Sequence, residues 1–526
     1  YELEKGDYTF FISASSHVED DAYDYCIFNL ESDLRFEVDP VTGYPVVNRY
    51  SQASDNTNAQ EGSAEYYLDA AYRLDDVVVE TDQGPAIRKG MTRTDFEGSF
   101  PTPLTTEERN FRSGELDYLA SKAHNNTAVA EEAQKGMPKT NTDDPVIVEK
   151  DEDGNEITRN VMLRDLIGLP YDDPLWDKLL DRLSPAEMLN LVNKGAFQTE
   201  PILKIGKNLT NDSDGPIGFV NFMPGRRSHY YGTTTFASQI VIASTWNKDL
   251  AYQMGKIVGD NGLWGDETGN GLPYTGWYAP AINLHRSPFS GRNFEYYSED
   301  PILSGKLAVH VINGAATKGV YTDLKHFALN DQETNRAGVA TFATEQSMRE
   351  LYLKPFEIAV KGDEAVCDTA ANDGVEKYQG TKGMMSSFNR IGLKWTGGDY
   401  RLLTEILRNE WGFRGLVICD YKTDNFFMDS RQMLYAGNDL ILASLLHLFW
   451  NDANFSSAED IVILRQATHN ILYAVANSNS MNVNIIGYYM PWWQLTLIIV
   501  DCVLAVGLTV WGVFAIRKAF KRKAKA

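Results

Sequence analysis

The chain has 526 residues, with 49 Lys plus Arg against 72 Asp plus Glu for a net charge of −23, and 43% hydrophobic and 12% aromatic side chains. That apolar content excludes a disordered chain, and the acidic excess excludes a phosphate-backbone binder, because nucleic acid is repelled over most of such a surface. The length suits roughly two to four domains of about 150 residues, or one large barrel with smaller modules. The chain starts with alternating apolar and polar positions, Tyr8, Phe10 and Ile12 falling on one face after Gly6-Asp7, which is the pattern of a strand. From about Asp39 to Asn141 it is rich in Asn, Thr, Asp and Gly with few periodic runs, so a long connection or a decorated small domain is expected. The PVIVEK and NEITRNVML segments, joined through Asp153-Gly154, predict a hairpin whose acidic DEDGNE stretch is a solvated turn.

From about Leu163 the texture changes to short apolar runs alternating with amphipathic segments such as SPAEMLNLVNK, STWNKDLAYQMGKIVG and SGKLAVHVINGAATKG, which is βα repetition. The strand-like runs WYAPAINL, GVYTDLKHF, GMMSSF and GLVICD end in or beside Asn283, Lys325 with His326, Asn389 with Arg390, and Asp420. In a (β/α)8 barrel such carboxyl-end residues converge on one mouth. The Gly-rich stretch Gly262 to Gly276 lacks the phosphate-binding fingerprints and reads as a loop. Cys26, Cys367, Cys419 and Cys502 follow no CxxC spacing, and the eight histidines form no HExxH-like cluster, so no disulfide scaffold, metal or cofactor is expected.

Leu495 to Ile516 is a run of 22 residues whose only ionisable side chains are Asp501 and Cys502. As a helix it spans about 33 Å, enough for a bilayer core of about 30 Å. Trp492 and Trp493 stand at one edge, and Arg517, Lys518, Lys521, Arg522, Lys523 and Lys525 at the other. This predicts a single-pass anchor over 489–516 with a cytoplasmic basic tail, 517–526, and the acidic body outside the cell. Asp501 would mark a partner helix.

Asp420 follows LVIC, where a carboxylate serves either as a nucleophile or as a helix cap. Lys325 and His326 are adjacent, so both reach one pocket only if the strand bends or ends there. Arg292 lies among Glu295, Glu299 and Asp300, and either holds sugar hydroxyls or pairs with those acids. Asp214 sits in a Gly-Pro-framed loop, where a turn-forming role competes. Acceptors, cationic donors and aromatics in one pocket suit a neutral polyhydroxyl ligand.

The stretches SDGPIGF, WYAPAINLHRSPFSGRNFEYYSEDP, KHFALNDQETNR, MMSSFNRIG, LLTEILRNEWGFRGLVICDY and AGNDLIL, in this order across about residues 163 to 475, resemble glycoside hydrolase family 3, chiefly its β-glucosidase-like branch. The resemblance implies an α/β fold with a TIM-like barrel over 161–488 and a connecting segment with a hairpin at 41–160. Residues 1–40 then look like the end of a fibronectin type III-like β module placed before the barrel, as in the branch that encodes an α/β sandwich domain first. That domain is expected upstream of Tyr1, which agrees with a first residue other than Met and no export signal in the first 30 residues. Asp420 corresponds to the nucleophile, and Asp214, Arg292, Lys325, His326, Met385 and Phe388 to residues lining the terminal sugar subsite. Glu333 and Arg336 look like a supporting pair, although a structural ion pair explains them equally well.

Retaining hydrolysis needs a second carboxyl group about 5 to 5.5 Å from the first. The resemblance assigns that acid/base to the sandwich domain, or to another chain supplying it. KHFALNDQ lacks the Pro-Gly-His-Gly pattern of the acetylhexosaminidase branch. Phe388 stands where a Tyr is usual and Tyr421 where a Trp is usual. The expected function is membrane-anchored removal of a terminal gluco- or xylo-configured sugar from an oligosaccharide or β-glycoside. The alternative is a surface carbohydrate-binding protein that kept the pocket and lost catalysis.

Overall fold

The computed structural model describes residues 2–13, 22–50, 77–81, 84–88, 126–151, 153–219, 233–265, 273–341, 343, 345–362, 380–391, 394–422, 428–443, 455–482 and 492–523. Most of the expected connecting segment, 51–76 and 89–125, and Cys367 lie outside the described residues.

The chain begins with an antiparallel hairpin of β1 (Gly6–Ser13) and β2 (Ala22–Leu30), extended by a short pairing of Glu2–Leu3 with Leu34–Arg35. Tyr8 faces Phe28 and Phe10 faces Cys26 on one side, with Phe11 opposite Tyr25 on the other. Phe10, Ile12, Tyr25, Ile27 and Phe28 are all more than half exposed, so apolar groups stand open on both faces. A fibronectin-like sandwich needs a second sheet over one of those faces, and the described residues show the hairpin without it. Residues 39–50 then run onto the barrel. Glu345 accepts the Arg49 and Tyr50 backbone N–H groups on its two carboxylate oxygens, both at 2.8 Å, and Thr42 Oγ1 donates to Glu410 O at 2.8 Å.

Two further hairpins follow, β3 (Val77–Thr81) with β4 (Gly84–Arg88), and β5 (Ile147–Lys150) with β6 (Glu156–Arg159). The second turns through Asp153-Gly154 as its sequence predicts: Asp151 Oδ1 accepts the Asp153 and Asn155 N–H groups, and Gly154 takes φ +86°. Between these hairpins, α1 (Thr127–Gln134) is capped by Asn126, whose Nδ2 also donates to Tyr435 O.

The barrel is built from β7 (Asp212–Asp214), β8 (Gly276–Tyr278), β9 (Tyr321–Phe327), β10 (Gly383–Ser386) and β11 (Leu416–Cys419), which form one parallel sheet in sequence order. Residues 439–443 continue it beyond β11 through parallel bridges at Ile418–Leu440 and Lys422–Ala443. Residues 192–197 close the ring: Ile441 N donates to Val192 O, Gly195 N to Ile441 O, and Asp212 N to Phe197 O, at 2.9 to 3.0 Å. Helices α2 (Leu175–Asp181) and α3 (Pro185–Asn193) precede β7, while α4 (Lys248–Trp264), α5 (Pro301–Ala316), α6 (Lys354–Lys361) and α7 (Arg401–Glu410) each connect consecutive strands. After β11 come α8 (Ser430–Ala436) and α9 (Ala458–Ala476). Parallel neighbours require such crossovers.

Trp277, Leu324, Phe327, Met384 and Val417 pack with Met254, Val258, Leu307, Val311, Phe356 and Leu403 of the helices. Alternation therefore turns Gly276, Tyr278 and Asp323 into the ring. Helices α4 and α5 approach closely because two glycines face each other: a Cβ on Gly255 would lie 2.2 Å from Val311 O, and one on Gly314 would lie 2.4 Å from Tyr252 O.

The last element, α10 (Trp492–Lys523), carries a stretch long and apolar enough to cross a membrane, Thr496–Ala515, with mean hydropathy 2.4 and no part of it buried. The helix continues through the basic residues to Lys523, so most of the expected tail is helical.

Candidate active site

Three of the strands deliver polar residues to the same end of the ring. Asp214 ends β7, Lys325 and His326 lie near the end of β9, and Asp420 follows β11 directly. Lys325 and His326 reach one pocket because the β9–β10 register slips: Leu324 faces Met384, but Phe327 faces Ser386, so three steps of β9 oppose two of β10. This bulge is the bend that two neighbouring side chains require. Asn283 fixes it by accepting from His326 N at 2.8 Å and donating to His326 O at 2.9 Å.

Asp420 is held by its backbone, with N–H donating to Ser386 O at 3.1 Å, and by Tyr421 N–H donating to Oδ1 at 2.7 Å. The helix that follows, α8, is capped by Asp429. The other oxygen, Oδ2, is buried and has no hydrogen-bond partner among the described residues. It lies 3.8 Å from His326 Nε2. Burial pushes the Asp420 carboxyl above its usual range, against the pull of Arg292. Burial, with Arg292 and Lys325 nearby, holds His326 well below the usual imidazole value, so the ring is neutral and no salt bridge forms. The Tyr296 hydroxyl stands 3.4 Å from His326 Nδ1 and donates to Asn330 O at 3.2 Å.

The cations are threaded between carboxylates. Lys325 Nζ meets Asp214 Oδ1 at 2.7 Å and Glu295 Oε1 at 3.1 Å. Arg292 contacts Glu295 Oε2 at 2.6 Å through Nη2 and Glu333 Oε1 at 3.6 Å through Nη1. Arg336 closes the series on Glu333 Oε2 at 2.9 Å, and Asn330 Nδ2 donates to Glu333 Oε1 at 3.1 Å. Burial favours neutral Lys325, yet Asp214 and Glu295 outweigh it and raise its pKa. Burial likewise pushes Glu295 up, but Lys325 and Arg292 hold it below the usual carboxylate range.

The structure thus brings Asp214, Arg292, Lys325, His326, Asp420, Glu333 and Arg336 into one cluster. Asp214 keeps its turn role as well, accepting from Gly215 N at 2.8 Å. Of the acids around Arg292, Glu295 is the partner, whereas Asp300 caps α5 and Glu299 is exposed. Met385 is buried within the ring opposite Ile418, and Phe388 lies under the Arg336 guanidinium, 4.8 Å from the ring centre. Sequence reasoning passed over Tyr296 and Asn330 and named Glu295 only as one of three acids beside Arg292; the i,i+3 spacing of Arg292 and Glu295 was the signal that singles it out. Among the described residues no group of three His, Cys, Asp or Glu is placed to hold a metal ion.

A ring of parallel strands with such a mouth occurs in many enzymes, so the family rests on the sequence comparison. Residues 217–445 match the glycosyl hydrolase family 3 N-terminal domain. Over those residues the chain is similar to glycosyl hydrolase family 3. The chain is 38% identical over 208 residues to Beta-glucosidase A of Butyrivibrio fibrisolvens, covering 40% of the chain and 22% of that protein. It is 33% identical over 268 residues to Beta-glucosidase B of Emericella nidulans, covering 50% of the chain and 28% of that protein. The matches therefore span about a quarter of these relatives' length. The crystal structure of a β-glucosidase from Paenibacillus barengoltzii, 21% identical with a TM-score of 0.56, covers 93% of this chain and 46% of that one, a likeness of fold.

Proposed function

We propose that this chain is a glycoside hydrolase family 3 member that carries the nucleophile half of a retaining exo-β-glycosidase acting on terminal, non-reducing gluco- or xylo-configured sugars. The single observation that carries the reading is Asp420 Oδ2, a buried carboxylate oxygen at the barrel mouth with no hydrogen-bond partner among the described residues. Such an oxygen is costly to bury unless a ligand uses it. In the proposed step it attacks the anomeric carbon, the bond to the leaving oxygen breaks, and a glycosyl ester forms on Asp420. Asp214, Arg292, Lys325 and His326 hold the ring hydroxyls, with contacts that tighten toward the oxocarbenium-like transition state. Proton donation to the leaving oxygen is assigned to an α/β sandwich domain or a partner chain. The apolar stretch Thr496–Ala515 anchors the protein in the cell membrane, with the barrel outside and the basic end inside. Residues 1–40, with their two-faced apolar hairpin, form one edge of a fibronectin-like module.

The test is incubation with 2,4-dinitrophenyl 2-deoxy-2-fluoro-β-glucoside, whose leaving group departs without protonation. Peptide mapping is expected to find the fluorosugar on Asp420. Labelling at another carboxylate, or none, overturns the reading. Phe388 favours a second reading, because it removes a hydroxyl that would steady the nucleophile. On that reading the chain binds sugar without cleaving it, and wild type and Asp420→Asn bind glucosides equally while neither is labelled.

A further inference from the structure

We infer that Glu295 is a positioning residue that sets the spacing of the two cations gripping the sugar, an inference that rests on the proposed glycosidase reading. Its carboxylate bridges Lys325 through Oε1 at 3.1 Å and Arg292 through Oε2 at 2.6 Å, one oxygen to each. Each cation has a second carboxylate on its far side, Asp214 at 2.7 Å for Lys325 and Glu333 at 3.6 Å for Arg292. Asp214 is about a quarter exposed and Glu333 a fifth, whereas the Glu295 side chain is 5% exposed, so it is the dry centre of the series. Both oxygens are spent on cations, and the residue acts on a sugar only through them. A buried charge with two fitted partners holds them far more rigidly than a solvated pair does. Lys325 comes from the bulged end of β9 and Arg292 from the loop after β8, so Glu295 ties two separately folded pieces of the pocket together. Loss of one ångström of placement at such a pair is worth about a hundredfold.

The groups facing Lys325 are Asp214 from the end of β7, Glu295 and Arg292 from the loop after β8, Asp323 and His326 from its own strand, and Asp420 after β11. Removing the Glu295 charge leaves Lys325 buried with less to hold its proton. The basic limb of sugar binding therefore moves to lower pH, a change that packing alone does not produce.

The experiment measures inactivation of the full chain by the 2,4-dinitrophenyl fluoroglucoside in wild type, Glu295→Gln, Glu295→Asp and, as a control, the exposed neighbour Glu299→Gln. Glu295→Gln is expected to raise KI about tenfold or more, to change kinact much less, and to shift the basic limb down by about one pH unit. Glu295→Asp keeps the charge but cannot span both cations, so its KI rises while its limb stays nearer wild type. The Glu299→Gln control matches wild type. If Glu295→Gln does not fold, the rise in KI of Glu295→Asp carries the comparison. KI and limb equal to wild type in the folded variants overturn the inference while labelled wild type keeps the glycosidase reading. Wild type unlabelled at Asp420 overturns that reading instead.

Discussion

Asp323 provides the sharpest test of how the barrel interior is held. It is fully buried on β9, and neither carboxylate oxygen has a hydrogen-bond partner among the described residues. Burial pushes its pKa well above the usual range, the neighbouring Asp212 pushes the same way, and Lys325 opposes them. The folded protein therefore keeps a proton that the unfolded chain releases near pH 4. With the folded pKa raised, the stabilisation is fully present below the unfolded value and is lost as pH climbs toward the folded one. The slope is about 1.4 kcal/mol per pH unit over that window. Asp323→Asn is neutral at every pH and carries no such slope. Its extra N–H donors cost about 1 to 3 kcal/mol if left unpaired, but that cost is the same at all pH values. Urea unfolding of both proteins between pH 5 and 7 is expected to show wild type losing ground to the variant by about 1.4 kcal/mol for each pH unit until the folded pKa is reached. A difference that stays flat with pH refutes a protonated Asp323.

The same denaturation series tests the helix contact: Gly314→Ala drives a methyl onto Tyr252 O, 2.4 Å away, and is expected to cost about 1 to 3 kcal/mol or more. Glu345→Gln leaves one of the Arg49 and Tyr50 N–H groups without its carboxylate oxygen, costing about 1 to 3 kcal/mol locally and speeding tryptic cleavage after Arg49. Labelling of Asp420 should rise with pH as its carboxyl ionises. Arg292→Met removes the cation that opposes burial, so the acid limb should move to higher pH, read from the pH profile of inactivation. The chain is expected to stay with membranes in high salt, and Val503, Leu504 and Val506 all changed to Lys should release it, at about 2.5 to 3.5 kcal/mol for each charge.

Much of the barrel is legible in the chain because its signals are local. Apolar runs that stop at Lys325, His326 and Asp420 mark strand ends, whereas Asp323, buried within β9, gives no such signal. The interrupted apolar pattern before Asp153-Gly154 marks a hairpin, and the unbroken run before Arg517 marks a helix with no polar face. The open faces of the 6–30 hairpin were less legible. Alternation of Tyr8, Phe10 and Ile12 promises one dry face, but Phe11 and Tyr25 put apolar groups on the other side too.

Sequence by itself determined the residue types at the mouth of the ring and the order in which the strands carry them there. Tertiary structure alone decided which charge meets which: Lys325 finds Asp214 across 111 residues of chain, and the β9 bulge turns Lys325 and His326 to the same side. Periodicity reports which face of a segment is buried, whereas ion pairing and an unpartnered carboxylate depend on ring closure and loop paths. No single segment encodes those.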